Sequence, residues 1–373
     1  MMYNSIRLLQ KNFLVKISNS KQKFIILIYK VNFRRFTTSI KMMKKQKTSQ
    51  WAESNYIASV AEFHTKFRHP VLPSPTIPGK DRCALRVSLI AEELKELEEA
   101  IEANDLVEVA DALADIQYVL SGAVCEFGMA TVFKDMFEEV HRSNMSKMCK
   151  STEEVNATQK HYLENKKMES YVEEVAKGEF LVLRKSDNKV LKSVNYSPAS
   201  LKPFLTVPSK TQSVTSPKSI SQVAEFHRKF RAPVLSFPQI PDPKRCQLRV
   251  SLIAEELKEL QVAIEENDLV EIADALCDIQ YVLSGAICEF GMASIFKTLF
   301  DEVQRSNMSK MCKSEAEAQE TLAHYKSKKS TEGYVTQINA SEFLVLRKGD
   351  DKVLKSVKYS PANLAQFLSM ESK

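Results

Sequence analysis

Acidic side chains recur at helical spacing in two short stretches of the chain, AEELKEL and EVADALADI. The six acids of these stretches are Glu92, Glu93, Glu96, Glu108, Asp111 and Asp115. Because residues three or four positions apart share one face of an α-helix, each stretch predicts an acidic strip. If two strips face each other, either protons or a divalent cation must relieve their repulsion. Oxygen ligands without Cys or His favour Mg²⁺, with Mn²⁺ as a substitute.

A stripe of charges that faces solvent is the alternative interpretation of this pattern. Solvated stripes usually mix acidic and basic residues, whereas these six residues are all acidic. The helix that contains Asp111 is also apolar on nearly every other side, which is typical of a buried helix. A magnesium ion in such a place normally keeps positions open for water and phosphate oxygens, so the implied substrate is a polyphosphate.

The same pattern occurs a second time further along the chain. Residues 60–201 align with residues 223–364 without a gap, and roughly two-thirds of the positions are identical. The second copy repeats all six acids as Glu255, Glu256, Glu259, Glu271, Asp274 and Asp278. We therefore predict two units of ordinary domain size, at 51–205 and 223–373. The Ser-, Thr-, Pro- and Lys-rich stretch between them predicts a linker over 206–222.

Helical periodicity dominates each unit, and a long helix pair is the element that must position the acids. In the first unit the pattern predicts helices near 60–67, 82–103, 106–127 and 130–142, followed by a polar helix near 152–174. The tail from Gly178 alternates around a polar turn and predicts a small β-hairpin. Because the second and third helices are joined by only a few residues, they should pack antiparallel with their acidic flanks facing.

The acidic segments resemble those of a known superfamily. EELKE and DALAD are similar to the EExxE and ExxD signature of the all-α nucleoside triphosphate pyrophosphohydrolases, which include MazG-like proteins, phosphoribosyl-ATP pyrophosphohydrolases and dimeric dUTPases. EFHTKFRHP, YVLSGAVCEFG, EVHRSNMSKM and KVLKSVNYSPASL resemble the phosphoribosyl-ATP pyrophosphohydrolase-like branch. The resemblance implies an all-α fold of two tandem MazG-like helical-bundle units. Each would carry a small C-terminal β-hairpin, and the two would pair as an internal pseudo-dimer.

The resemblance further implies a Mg²⁺-dependent enzyme whose substrate is a nucleoside triphosphate. Such an enzyme directs water at the α-phosphorus and releases a nucleoside monophosphate and pyrophosphate. Cleansing of a nucleotide pool is the expected role. Two alternatives remain open: hydrolysis of phosphoribosyl-ATP in histidine biosynthesis, and a regulator that binds nucleotide or metal without turnover.

The resemblance also implies roles for the individual acids. The cation ligands would be Glu93, Glu96, Asp115 and either Glu108 or Asp111, with Glu256, Glu259, Asp278 and either Glu271 or Asp274 in the second copy. That choice stays open because the family has a Glu where this chain has Ala112. One of Glu92 and Glu93, and one of Glu255 and Glu256, would orient or deprotonate the water.

Other segments that resemble the family supply candidates for substrate binding. The candidates for the triphosphate are Arg142, Asn144, Lys147, Arg305, Asn307 and Lys310, since a charged leaving group needs fixed donors. Basic residues are also favoured at a helix C-terminus by the helix dipole, which is the alternative explanation. The candidates for the base pocket are Phe63, Phe67, Tyr118, Phe226, Phe230 and Tyr281.

Charge is distributed unevenly along the 373 residues. The net charge is +6, but residues 1–50 hold twelve Lys and Arg and no acid, so the remainder is acidic. An acidic body argues against a nucleic-acid partner. The basic leader 1–50, with RRFTTSI, resembles a mitochondrial transit peptide; a disordered leader on a cytoplasmic protein is the alternative. The longest apolar run there is too short to span a membrane. Self-association beyond the paired repeats stays open.

Overall fold

The computed structural model describes residues 51–206 and 213–368. The predicted leader at 1–50 lies outside the described residues, as do residues 207–212 of the predicted linker. Mitochondrial localisation therefore stays a prediction. We refer to residues 51–206 as the first repeat and to residues 213–368 as the second repeat.

Both repeats have the same order of elements, except that the second has a third short strand where the first has only an isolated bridge. The first repeat contains α1 (Tyr56–Lys66), α2 (Lys80–Glu102), α3 (Leu106–Glu126), α4 (Phe133–Met145), α5 (Thr152–Lys166), β1 (Ser170–Ala176), β2 (Glu179–Arg184) and α6 (Lys202–Leu205). The second repeat contains α7 (Ser219–Lys229), α8 (Pro243–Glu265), α9 (Leu269–Glu289), α10 (Phe296–Met308), α11 (Glu315–Lys329), β3 (Gly333–Asn339), β4 (Glu342–Arg347), β5 (Val353–Leu354) and α12 (Ala365–Leu368). The predicted fold class, helical with small strand pairs at the end of each repeat, is confirmed.

A tight turn joins α2 to α3 and makes them an antiparallel hairpin. Asn104 adopts a left-handed conformation with φ of 53°, which asparagine tolerates better than most residues. Asp105 then caps α3 by accepting hydrogen bonds from the backbone N–H groups of Val107 and Glu108 at 2.9 and 3.2 Å. Asn267 and Asp268 repeat this turn between α8 and α9.

One apolar core runs through both repeats, with α3 and α9 at its centre. These helices are buried on nearly all sides and pack against each other, while α2 packs against α8. The fourth helix of each repeat is exchanged: α10 packs on α1 and α3 of the first repeat, and α4 packs on α7 and α9 of the second. The predicted pairing as an internal pseudo-dimer is confirmed. It follows from α3 and α9 being too apolar for either repeat to cover alone.

The end of the polar helix was predicted wrongly. Helix α5 ends at Lys166, because Lys167 takes a left-handed φ of 52° and closes the last turn. The next residues form β1, which pairs antiparallel with β2 so that Tyr171 lies opposite Leu183. Polar composition masked the alternation of this strand. The predicted pairing around the later polar turn also exists, as β4 with β5 and as a bridge between Leu183 and Val190.

The described end of the segment between the repeats is ordered, unlike a flexible linker. Helix α7 begins at Ser219, inside the stretch predicted as linker. Just before it, the Ser216 backbone N–H donates to Asn55 Oδ1 at 2.8 Å. The described helices include none with the length and apolar character needed to cross a lipid bilayer.

Candidate active sites

The rotation of α2 about its axis decides where its acids lie. Ile90, Leu94 and Leu97 are buried in the core. Glu93 lies at the edge of that apolar face and is half-buried, whereas Glu96 is exposed beside it. The helix therefore presents its acids at the boundary between core and solvent, next to α3.

On α3 the two later acids of the strip are half-buried and the first is exposed. Asp111 and Asp115 lie on the side of α3 that faces α2. Glu108 lies one helical turn before Asp111 and is exposed. Burial, followed by repulsion from Asp111 and Glu93, raises the pKa of Asp115 to about 8. Asp115 on α3 thus interacts with Glu93 on α2, across the contact between the two helices.

Glu93 is the acid of α2 most affected by its neighbours. Burial raises its pKa to about 7, aided by repulsion from Glu96, Glu92 and Asp111. The pKa of Asp111 is raised by burial, then by Glu108 and Glu96. Asp111 thus interacts with acids on both helices.

The second repeat reproduces this cluster. Burial raises the pKa of Glu256 to about 8, with contributions from Asp278, Glu259, Glu255 and Asp274. Burial also raises the pKa of Asp278 to about 7, together with repulsion from Asp274. We define site 1 as the acidic cluster of the first repeat with the side chains that face it, and site 2 as its counterpart around the acids of the second repeat.

The carboxylate oxygens of the cluster suit a hard divalent cation, although the side chains do not surround one common position. Within residues 51–206 and 213–368, no three His, Cys, Asp or Glu side chains stand close enough to form a finished cation site. The raised pKa values of Glu93 and Asp115 nevertheless show that the cluster holds more negative charge than its half-buried position favours. A divalent cation would remove that repulsion, and carboxylate oxygens are the ligands that Mg²⁺ takes.

Each acidic cluster faces a lysine from the other repeat. Lys310 follows α10 of the second repeat and lies near Asp115, whose pKa it lowers. Lys147 follows α4 of the first repeat and acts in the same way on Asp278. Burial lowers the pKa of both lysines. Because α4 and α10 are exchanged between the repeats, each site is built from both.

The predicted asparagines lie in these composite sites. Lys310 Nζ donates to Asn307 Oδ1 at 2.6 Å, and Asn307 lies next to the hydroxyl of Tyr118 in the first repeat. The equivalent pair is Lys147 with Asn144 at 2.7 Å, and Asn144 lies next to Tyr281. The asparagine and the lysine, two of the three triphosphate candidates in each repeat, therefore lie near the acids of the other repeat.

The third candidate of each set has a different position. Arg142 forms two hydrogen bonds to Glu139, at 2.7 and 2.8 Å, and donates to the backbone oxygen of Pro198 at 3.1 Å. Arg305 makes the same contacts with Glu302 and Pro361. These arginines therefore fasten the C-terminal tail of their own repeat to α4 or α10.

The aromatic candidates form a wall beside each cluster. We define wall 1 as Phe63, Phe67 and Tyr118, and wall 2 as Phe226, Phe230 and Tyr281. In wall 1 the Phe63 ring stacks on Phe67 with centroids 4.1 Å apart and meets Tyr118 edge-on at 5.5 Å. Wall 2 has the same spacings. Burial raises the pKa of both tyrosines, so both hydroxyls keep their protons.

Sequence reasoning missed further lysines, which come from the tails. Lys352 and Lys355 lie near Lys310 and contribute to lowering its pKa after burial. Lys189 and Lys192 lie near Lys147 in the same way. Lys355 also lies over the ring of Tyr359, with Nζ 4.3 Å from the centroid. The motif KVLKSV occurs in both repeats and could have indicated these lysines. Its spacing alone does not show which site the lysines reach.

Both repeats match the sequence model of a known protein family. Residues 60–144 and 223–307 each match the family model described as phosphoribosyl-ATP pyrophosphohydrolase. The chain is also 25% identical over 332 residues to an uncharacterized protein of Acanthamoeba polyphaga mimivirus, a match that covers 86% of this chain and 98% of that protein. The family match supports a pyrophosphohydrolase-type function, and the resemblance identified in the sequence is confirmed.

Proposed function

Since the chain carries two domains of the phosphoribosyl-ATP pyrophosphohydrolase family, we propose that it is a Mg²⁺-dependent nucleoside triphosphate pyrophosphohydrolase with two active sites. Its products would be a nucleoside monophosphate and pyrophosphate. The observation that carries this proposal is the meeting, in each site, of a carboxylate cluster with a half-buried lysine from the other repeat. Opposite charges so arranged suit a cation and a polyphosphate bound side by side.

In site 1 the cation ligands are Glu93, Glu96, Asp111 and Asp115. We choose Asp111 over Glu108 because Asp111 is half-buried and interacts with both helices, whereas Glu108 is exposed. When bound, the cation polarises the phosphate oxygens and neutralises their charge. In site 2 the matching ligands are Glu256, Glu259, Asp274 and Asp278.

The reaction needs a proton acceptor and a place for the leaving group. Glu92 is exposed next to the ligand set and accepts the proton of the attacking water. The water oxygen bonds to the α-phosphorus while the bond from that phosphorus to the bridging oxygen breaks. Lys310, Lys352 and Lys355 neutralise the departing pyrophosphate. Wall 1 borders the base.

Phosphoribosyl-ATP is a second candidate substrate, and the family match favours it directly. Its hydrolysis has the same chemistry, since pyrophosphate leaves from a nucleoside triphosphate. Both candidates use the same acids and lysines, so only a comparison of substrates separates them.

The test is release of pyrophosphate by the purified full-length chain. NTPs, dNTPs and phosphoribosyl-ATP are each supplied with Mg²⁺ or with EDTA. We expect Mg²⁺-dependent release that falls at least about a hundredfold in the double variant Glu96→Gln/Glu259→Gln. Glu98→Gln is the matched control, because position 98 lies on the other flank of α2 and the second repeat already has Gln261 there. Tight nucleotide binding without pyrophosphate release in the wild type would instead indicate a regulator.

A further inference from the structure

The two sites differ at a position next to the aromatic wall. In site 1 the His69 ring packs beside Phe63, with centroids 5.9 Å apart and planes inclined by 26°. It also lies near Lys310, the lysine that faces Asp115. His69 thus occupies space between wall 1 and the charged part of the site. The equivalent residue in site 2 is Ala232, whose side chain is a single methyl group in place of the imidazole.

A second difference affects the tyrosine of each wall. Tyr118 Oη donates to Gln304 Oε1 at 2.8 Å, and Gln304 Nε2 donates to the backbone oxygen of Ser59 at 3.0 Å. In site 2 the residue equivalent to Gln304 is His141, whose Nδ1 lies 3.2 Å from Tyr281 Oη. Gln304 comes from the second repeat and His69 from the first, yet both belong to site 1. The differences therefore distinguish one composite site from the other.

Resting on the proposed function, we propose that the two sites select different bases: site 1 takes pyrimidine nucleoside triphosphates and site 2 takes purine nucleoside triphosphates. A purine differs from a pyrimidine by one fused five-membered ring. The imidazole of His69 has about the size of that ring and fills the space beside Phe63. Ala232, at the equivalent position of site 2, has no ring to compete with that of the purine. Burial, followed by the charges of Arg86 and Arg82, lowers the pKa of His69, so its ring packs as a neutral group at pH 7.

Isolating each site tests the proposal. Glu259→Gln silences site 2 and leaves site 1, while Glu96→Gln does the reverse. For each single-site protein, kcat/KM is measured with dATP, dGTP, dCTP and dTTP by pyrophosphate release. We expect the ratio of pyrimidine to purine kcat/KM to differ between the two proteins by roughly tenfold or more, as one excluded ring in a pocket produces.

Exchanging the two residues should exchange the preference. In the Glu259→Gln background, His69→Ala should raise purine kcat/KM relative to pyrimidine, and in the Glu96→Gln background Ala232→His should lower it. Both side chains occur naturally at this position of the repeat, and circular dichroism checks folding. Equal base ratios in the two single-site proteins, or ratios unmoved by both exchanges, would overturn this inference alone. Absence of pyrophosphate release by the wild type from every substrate would overturn the proposed function as well.

Discussion

Gln117 and Gln280 donate to each other across the contact between α3 and α9, and both amide-to-oxygen distances are 2.8 Å. The two residues occupy the same position in their repeats, and both are fully buried. A pair of equivalent residues that bond reciprocally marks the axis that relates the repeats. The acids and lysines of both sites are arranged about this axis.

Breaking the glutamine pair should destabilise the whole fold. In Gln117→Leu the buried Oε1 of Gln280 loses its donor, which costs about 1–3 kcal/mol of the free energy of unfolding, while Gln280 Nε2 keeps Ser219 and Ser284 as acceptors at 3.3 Å. Chemical denaturation measures this cost. The double variant Gln117→Leu/Gln280→Leu should lose less than the sum of the single variants, because no amide is left unpaired. Additive losses would mean that the two side chains do not interact.

The composite sites predict an unusual pattern of activity in double variants. Glu96→Gln/Lys310→Met places both changes in site 1 and leaves site 2 intact, so it should keep the rate of pyrophosphate release of the single variant Glu96→Gln. Glu96→Gln/Lys147→Met damages both sites and should lower the rate by roughly a hundredfold or more. Steady-state assays of the two proteins at saturating Mg²⁺ compare them. The reverse ranking would show that each lysine serves the acids of its own repeat.

Removing divalent cations should make stability depend on pH. In the folded protein the pKa values of Glu93 and Asp278 are raised to about 7, and those of Asp115 and Glu256 to about 8. The folded state therefore binds protons that the unfolded chain has already released. The resulting stability is full below the ordinary carboxylate pKa near 4 and is lost as the pH rises through 7 to 8.

Thermal unfolding with EDTA at pH 5 and pH 8 measures this loss. Added Mg²⁺ should raise the unfolding temperature by at least about 2 °C at pH 8 and by less at pH 5, where protons compete for the acids. Asp115→Asn/Asp278→Asn is the control, since it removes two of the titrating groups and should flatten the pH dependence. A Mg²⁺ effect of equal size in this variant would count against the assigned ligands.

A buried ion cluster at the other end of the helix hairpin should be important for folding. Glu126 is fully buried on α3 and pairs with Arg82 and with the buried Arg86, both on α2. Glu126→Ala would leave Arg86 charged and unpaired, at a cost of about 3–5 kcal/mol in the free energy of unfolding. Denaturation of this variant can be compared with Glu138→Ala, which breaks an exposed pair with Lys134 and should cost less than about 1 kcal/mol.

Much of the fold could be predicted from local patterns. The repeat, the caps at Asp105 and Asp268 and the apolar period of α2 depend on residues close together in sequence, so their positions follow from helical geometry. Strand β1 could not be predicted in this way, because its polar residues also suit a helix. Pairing with β2, and the left-handed turn at Lys167, decided its conformation.

Local helical spacing is enough to place two acidic clusters, one on each helix hairpin. The groups that face each cluster depend on how the helices of both repeats pack. Lys147 and Lys310 lie in the same repeat as one acidic cluster but point to the other, because α4 and α10 cross to cover the apolar sides of α9 and α3. Helical period specifies the face on which a side chain lies, whereas the packing partner of that face depends on which buried surfaces the whole chain can bring together.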